Sequence, residues 1–292
     1  MALPLFRTQP LIAPQQPRLP AAPVEYSQRY GDDLTNILRL YFNQLQNFNQ
    51  LFTTNTGGAL LKFPNGAFFQ DGVTTLTNSI TNVSTTPIVV ASTEQFVLTA
   101  GALLIGNEII SYTGKTATSF TGITRGVYGS TKAAHTAGAT ISEAQSLASP
   151  TVAAAVALLQ TTSSNGVVLD ATDKTKVVFE VSGIYNIQFS MQMISYDGTI
   201  DDVTLWFRLN GVDIPYSAGV ATVPAIHGGK PGTAIISWNL VQPVNAGDYL
   251  QLLFASDTGN TVCATYPGGT TPVHPVSPSV ILTATFVSAL YT

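Results

Sequence analysis

The residues of this chain that could carry out chemistry are few and scattered. There are three histidines, His135, His227 and His274, each in a Gly- or Pro-rich stretch and none near another in sequence. A zinc site needs roughly three or four ligands at set spacings, so these histidines read as exposed loop residues. Asp197, Asp201 and Asp202 cluster in YDGTIDDV. Carboxylates so close together suit a hard cation such as Ca²⁺, but the spacing is not that of an EF-hand loop. A solvated turn is the other reading, and no metal ligand is assigned. Paired carboxylates also serve glycoside hydrolysis, yet the chain lacks the repeats of the long β-helices that usually carry such sites. A Ser-rich chain always offers a Ser-His-Asp set on paper. No GxSxG elbow supports one here, and no GxxxxGK[ST] loop is present to cradle phosphate. The chain is therefore expected to have no catalytic residue, no cofactor and no bound metal.

The lone cysteine, Cys263, excludes an intrachain disulfide framework and a CxxC metal site, and reads as a buried small apolar residue. Charge is scarce: 10% of 292 residues, with a net charge of −4. No run of Lys or Arg offers an electrostatic footprint for nucleic acid. A 45% hydrophobic composition is enough for real cores. The uncharged remainder is Ser, Thr, Asn, Gln and Gly, which suits β-sheets that assemble tightly better than a monomer kept apart by charge. No stretch is apolar and long enough to span a membrane, so membrane insertion is not expected. The opening MALPLFRTQPLIAP has no basic region followed by an apolar core, and does not read as a secretory signal.

The elements follow from these constraints. Residues 1–30 hold six of the 17 prolines (Pro4, Pro10, Pro14, Pro17, Pro20 and Pro23). That density forbids helix and sheet and favours an extended arm, which needs a partner surface to become ordered. Residues 31–54 read as a helix that Asp32 or Asp33 can cap. Its apolar positions Leu34, Leu38, Tyr41, Leu45, Phe48 and Phe52 recur at alternating steps of four and three, a heptad seam. Ile37, Leu40, Phe42 and Leu51 widen the stripe, which fits three helices, or one helix lying on its own domain, better than a thin dimer.

Residues 55–84, with Asn65-Gly66 and Asp71-Gly72 as turn signals, read as a β connector. Residues 85–145 read as a small β-module of short runs split by glycines, with Glu108 a polar residue opening one hairpin arm. Residues 146–292 read as a larger β-domain. There Tyr185, Ile187, Phe189 and Met191 alternate with Asn186, Gln188, Ser190 and Gln192, and Leu205 and Phe207 with Trp206 and Arg208. Asn210-Gly211 predicts a hairpin, and 256–279, rich in Gly and Pro, predicts a long loop. The fold class expected is mainly β: extended arm, short coiled-coil helix, small β-module and a C-terminal sandwich of the jelly-roll type.

Three stretches resemble known families. RLPAAPVEYSQRY followed by LRLYFNQLQNFNQL resembles the N-terminus of virion proteins of tailed phages, especially short-tailed ones. IGNEIISYTG, with FTGITRGVYGSTKAAHTAGATI after it, resembles a small β-module common in phage structural proteins. FEVSGIYNIQFSMQ and NAGDYLQLLF, with Gly183, Tyr185, Gly247 and Asp248, resemble the C1q/TNF-type jelly roll, a domain that is typically trimeric. The resemblance implies a virion component: a homotrimeric, fibre-like protein held to a tail adaptor, nozzle or capsid through residues 1–30. As a tail fibre it would meet a host-surface glycan or protein, with Tyr196, Tyr216 and Tyr266 as contacts. A capsid decoration or cement protein is one alternative, and a carbohydrate-active tailspike is another.

Overall fold

A computed structural model describes residues 15–21, 24–53, 63–149 and 152–290; of 51–53 it describes the backbone alone. The chain divides into two units, 1–62 and 63–292.

In the first unit, residues 15–21 run without regular structure, and the rest of the expected arm lies outside the described residues. The helix spans Gln28–Thr53, beginning before the expected Asp32 or Asp33 cap. Ser27 takes that role: its hydroxyl accepts a bond from the Tyr30 N–H at 3.4 Å. A serine oxygen three residues ahead of an orphan helix N–H caps as well as aspartate does. Leu34, Leu38, Tyr41, Leu45 and Phe48 are half-buried, whereas Leu40 and Phe42 are exposed. The side chain of Phe52 lies outside the described residues. No described helix is long and apolar enough to cross a membrane.

The second unit is a β-sandwich with a module grafted onto one sheet. The larger sheet is ordered Gln160–Asn165, Asn65–Gln70, Val280–Ser288, Gly183–Ser195, with Gly232–Val244 on the other edge of the last. The opposing sheet is ordered Val167–Leu169, Val177–Phe179, Tyr249–Ser256, Asp201–Leu209; both Gly219–Val223 and Val212–Asp213 pair with the far side of the last strand. The chain crosses between the sheets from Phe179 to Gly183, Ser195 to Asp201, Val223 to Gly232 and Val244 to Tyr249. Gly183–Ser195 and Gly232–Val244 pair antiparallel from Gly183↔Val244 to Ser195↔Gly232 without a slip. Tyr185, Ile187, Phe189, Met191 and Met193 face inward, against Leu205, Phe207, Leu252 and Phe254 of the opposing sheet. Asn210 and Gly211 both take positive φ, 51° and 82°, as a two-residue hairpin joining Leu209 to Val212 demands.

Three stretches depart from the sequence reading. Asn65–Gln70, expected in a connector, is an inner strand of the sandwich, paired on one side with Gln160–Asn165 and on the other with Val280. The reason is Phe68, which is fully buried in the sandwich core. The module is thus an insertion between that strand and its neighbour at 160–165. It begins at Val73–Thr75, which pairs with Thr140–Gln145. The third departure is Thr261–Ala264, inside the expected loop 256–279. It is a fully buried strand that links Gly183–Ser195 to Thr140–Gln145 and so fuses the sheets. Its side chains are small or β-branched, and such residues suit a strand covered on both faces.

The module keeps its own core of Leu76, Ile88, Val90, Phe96, Leu103, Ile105, Ile110, Tyr112, Phe120 and Ile141. A second cluster, with Ala102, Leu104, Ile109 and Ala144 on the module side and Ile194, Tyr196, Val262 and Ala264 on the sandwich side, joins the two. The strand Gly101–Ile105 therefore buries both of its faces, which explains its unbroken apolar run.

Candidate functional site

The expected recognition tyrosines do not form one surface. Tyr196 is only 5% exposed, and its hydroxyl donates to Gly106 O at 3.4 Å. It packs in the joint between module and sandwich, so it is not a surface contact. Tyr266 is half-buried against the same joint, and burial pushes its phenol up to about 12. Tyr216 alone is presented to solvent, at 103% exposure, and it sits at φ 62°. A bulky residue rarely adopts that left-handed conformation without compensation. Here Ser217 supplies it: its buried hydroxyl accepts from Phe207 N at 3.0 Å and donates to Ile214 O at 2.8 Å.

Beside that turn lies the outer face of Asp201–Leu209, where Thr204, Trp206 and Arg208 point away from the core. Trp206 Nε1 and Arg208 Nε both donate to Asp213 Oδ1, at 2.8 and 2.7 Å. These two bonds hold the Asp213 carboxyl below the usual carboxylate range. The alternation that placed Phe207 inside also placed Trp206 outside; the link to Asp213 depends on the hairpin at Asn210-Gly211 returning the chain.

The aspartate cluster disperses. Asp201 is buried and accepts from Ser256 Oγ at 2.6 Å and Thr258 N at 3.1 Å. Burial opposes its charge, but bonds from Asp257 and Ser256 outweigh burial and bring its carboxyl down to about 2. Asp202 instead accepts from Thr222, and Asp197 from Asn260. Among the described residues no three His, Cys, Asp or Glu side chains converge on a metal-sized site.

His227 and His274 are exposed, as expected, but His135 is not a free loop histidine. Its Nε2 lies 2.7 Å from Glu108 Oε2. Glu108 is fully buried and takes a two-pronged bond from Arg125, with Nε and Nη2 each at 2.7 Å. The N–H groups of Gly126 and Ala133 complete the cage, at 3.1 and 3.0 Å. Burial pushes the carboxyl up, yet the Arg125, Ala133 and His135 bonds prevail and hold it below its ordinary value. Every acceptor position of Glu108 is thus used in fixing the loop 125–135, which makes it a structural clasp. The sequence signal was a glutamate at the head of an apolar hairpin arm, where only a paired charge is tolerated.

Cys263 is buried, its thiol donating to Ser279 O at 3.3 Å, and burial pushes it up. With its low exposure it is the small apolar residue expected. A last feature is a surface without charge. The strands 65–70, 160–165, 183–195, 232–244 and 280–288 contain no Asp, Glu, Lys or Arg. On the outer side, Ile235, Val241, Ile281 and Val287 are 70, 55, 41 and 57% exposed, set among Asn186, Gln188, Ser237, Asn239 and Thr285. The opposing sheet carries Asp202, Arg208 and Asp213 on its outer side instead.

No protein-family model matches the chain, and no curated protein matches it.

Proposed function

We propose that this chain is a non-enzymatic structural protein of a virus particle: a homotrimeric, fibre-like component that presents a jelly-roll head to the host surface. Residues 1–30 would bind other virion proteins, the Gln28–Thr53 helix would set the three-fold axis, and the sandwich would project outward. The observation that supports association is the uncharged outer face of the larger sheet. Identical copies repel where they carry like charges, and here none is present. The exposed Ile and Val residues offer apolar area to bury, worth roughly 25 cal/mol per Å². The half-buried heptad stripe of the helix points the same way. It is under three heptads, too short to hold copies together unaided, so the head must contribute.

Light scattering on the full chain at micromolar concentration is expected to give three times the chain mass. Val241→Asp with Ile281→Asp should shift the population to monomer while leaving the fold intact by circular dichroism. Leu38→Asp with Leu45→Asp should weaken the trimer without abolishing it. A wild-type monomer would overturn the proposal. Particles stripped of the protein separate its two duties: lost adsorption with intact heads marks a fibre, and fragile heads with normal adsorption mark a cement protein.

A further inference from the structure

We infer that the outer face of Asp201–Leu209, with the turn at Tyr216, is a binding surface for a neutral hexose polysaccharide. The inference rests on the reading of the head as the part that meets the host. Sugar rings are recognised by an aromatic face that stacks on their C–H groups and by fixed polar groups that exchange bonds with their hydroxyls. Both kinds of group are present here. The Trp206 indole is oriented by the bond from its N–H to Asp213 Oδ1 at 2.8 Å. The ring itself is half-exposed on the outer side of the sheet.

Arg208 spends only Nε on Asp213, at 2.7 Å, which leaves its two terminal amines as donors. Asp213 Oδ2 is left as an acceptor, and Gln251, opposite Arg208 across the ladder, gives its amide N–H to Thr175 at 2.7 Å and keeps its carbonyl. A donor and an acceptor side by side match a vicinal diol. Arg208 and Asp213 also cancel each other's charge, so the surface gives an acidic sugar no net attraction. This is the chemistry of a neutral ligand.

Tyr216 is an exposed ring on the turn that follows Asp213. Its turn runs beside Phe207, whose N–H reaches Ser217 Oγ and whose carbonyl accepts from Ile214 N at 2.9 Å. The left-handed backbone at φ 62° keeps the ring out in solvent. Strain of this kind persists where the surroundings over-determine it, and exposed binding loops are such places.

Native gels cast with dextran, yeast mannan, a galactan or a mixed-linkage β-glucan, and with alginate as the acidic control, test this on the full chain. At least one neutral polymer should retard the protein, and alginate should not. Trp206→Ala should restore free mobility, and Tyr216→Gly should weaken retention about tenfold, the scale of one lost stacked ring. Tyr216→Gly cannot act by unfolding, since the ring touches nothing and glycine relaxes the backbone. Fluorescence should agree: the outward Trp206 responds to the polymer, and Trp238, packed edge-on to Phe189 at 4.6 Å, does not. Failure of every neutral polymer, or retention that survives both substitutions, overturns the inference. A trimer that ignores all four polymers would leave the proposed function standing, and a monomer that binds one would do the reverse.

Discussion

Arg125→Ala is expected to cost about 3–5 kcal/mol of stability, a fall in Tm of roughly 10 °C, because it leaves a buried carboxylate without its counter-ion. The Arg125 and Glu108 side chains are 2% and 0% exposed, and their closest contact is 2.7 Å. Arg208 and Asp213 make a contact of the same length with side chains 31% and 55% exposed. Coulomb attraction at equal distance would give these pairs equal weight. Burial does not: the exposed charges keep most of their hydration, and such pairs contribute under about 1 kcal/mol. Arg208→Ala should therefore barely move the melting curve.

The loss at Arg125 should also be local. Gly126 N and Ala133 N bond to the same carboxylate, so their amide hydrogens should exchange faster in the variant before those of the sandwich do. Urea melts of both variants and hydrogen exchange on the first would check this. If the two arginine variants cost the same, burial does not set the strength of these pairs.

What the sequence could disclose divides along a physical line. Periodicity reports which face of an element turns inward, and it did so wherever the element is long. The alternation from Tyr185 to Met191 and that around Phe207 are both seen, as is the Asn210-Gly211 turn. Periodicity does not report what covers the other face. Tyr196 follows the Gly183–Ser195 strand on the side away from the sandwich core, and it reads as exposed until the module is laid over Ile194 and Tyr196. Partners far apart in sequence were equally invisible. Gln70 meets Val280, and Glu108 meets Arg125 and His135, through closures that no local pattern encodes. Trp206 was legible as an outward residue, but its orientation was not, since that depends on Asp213 across a hairpin.

The largest effect of pH should come from Glu143, which sits where the module enters the sandwich. It is fully buried; Gln70 Nε2 and Val97 N donate to its carboxyl, and its own N–H bonds Gly72 O at 2.8 Å. Lys115, Tyr112 and Cys263 are the other titratable groups that sense its charge. Burial raises the carboxyl from 4.5 to about 7, against the pull of the N–H groups and Lys115. The folded protein thus holds this proton up to about pH 7, whereas the unfolded chain releases it near 4.5. Stability from this group is complete below the lower value, drains away as pH climbs between the two, and is gone above the upper one. The whole change is on the order of 3 kcal/mol. Asp201 acts in the opposite sense, but its window lies between 3.8 and about 2, far to the acid side.

Urea midpoints measured from pH 5 to pH 8 should therefore fall for the wild type. Glu143→Gln should flatten that slope and be the more stable protein at pH 8. A glutamine there still accepts from Val97 N. Its new amide N–H can meet Gln70 Oε1, which has no partner among the described residues, once the Gln70 amide turns over. A variant that keeps the wild-type slope would place the titration elsewhere. A wild type that gains stability toward pH 8 would mean that the carboxylate, not the acid, is the form the joint was built around.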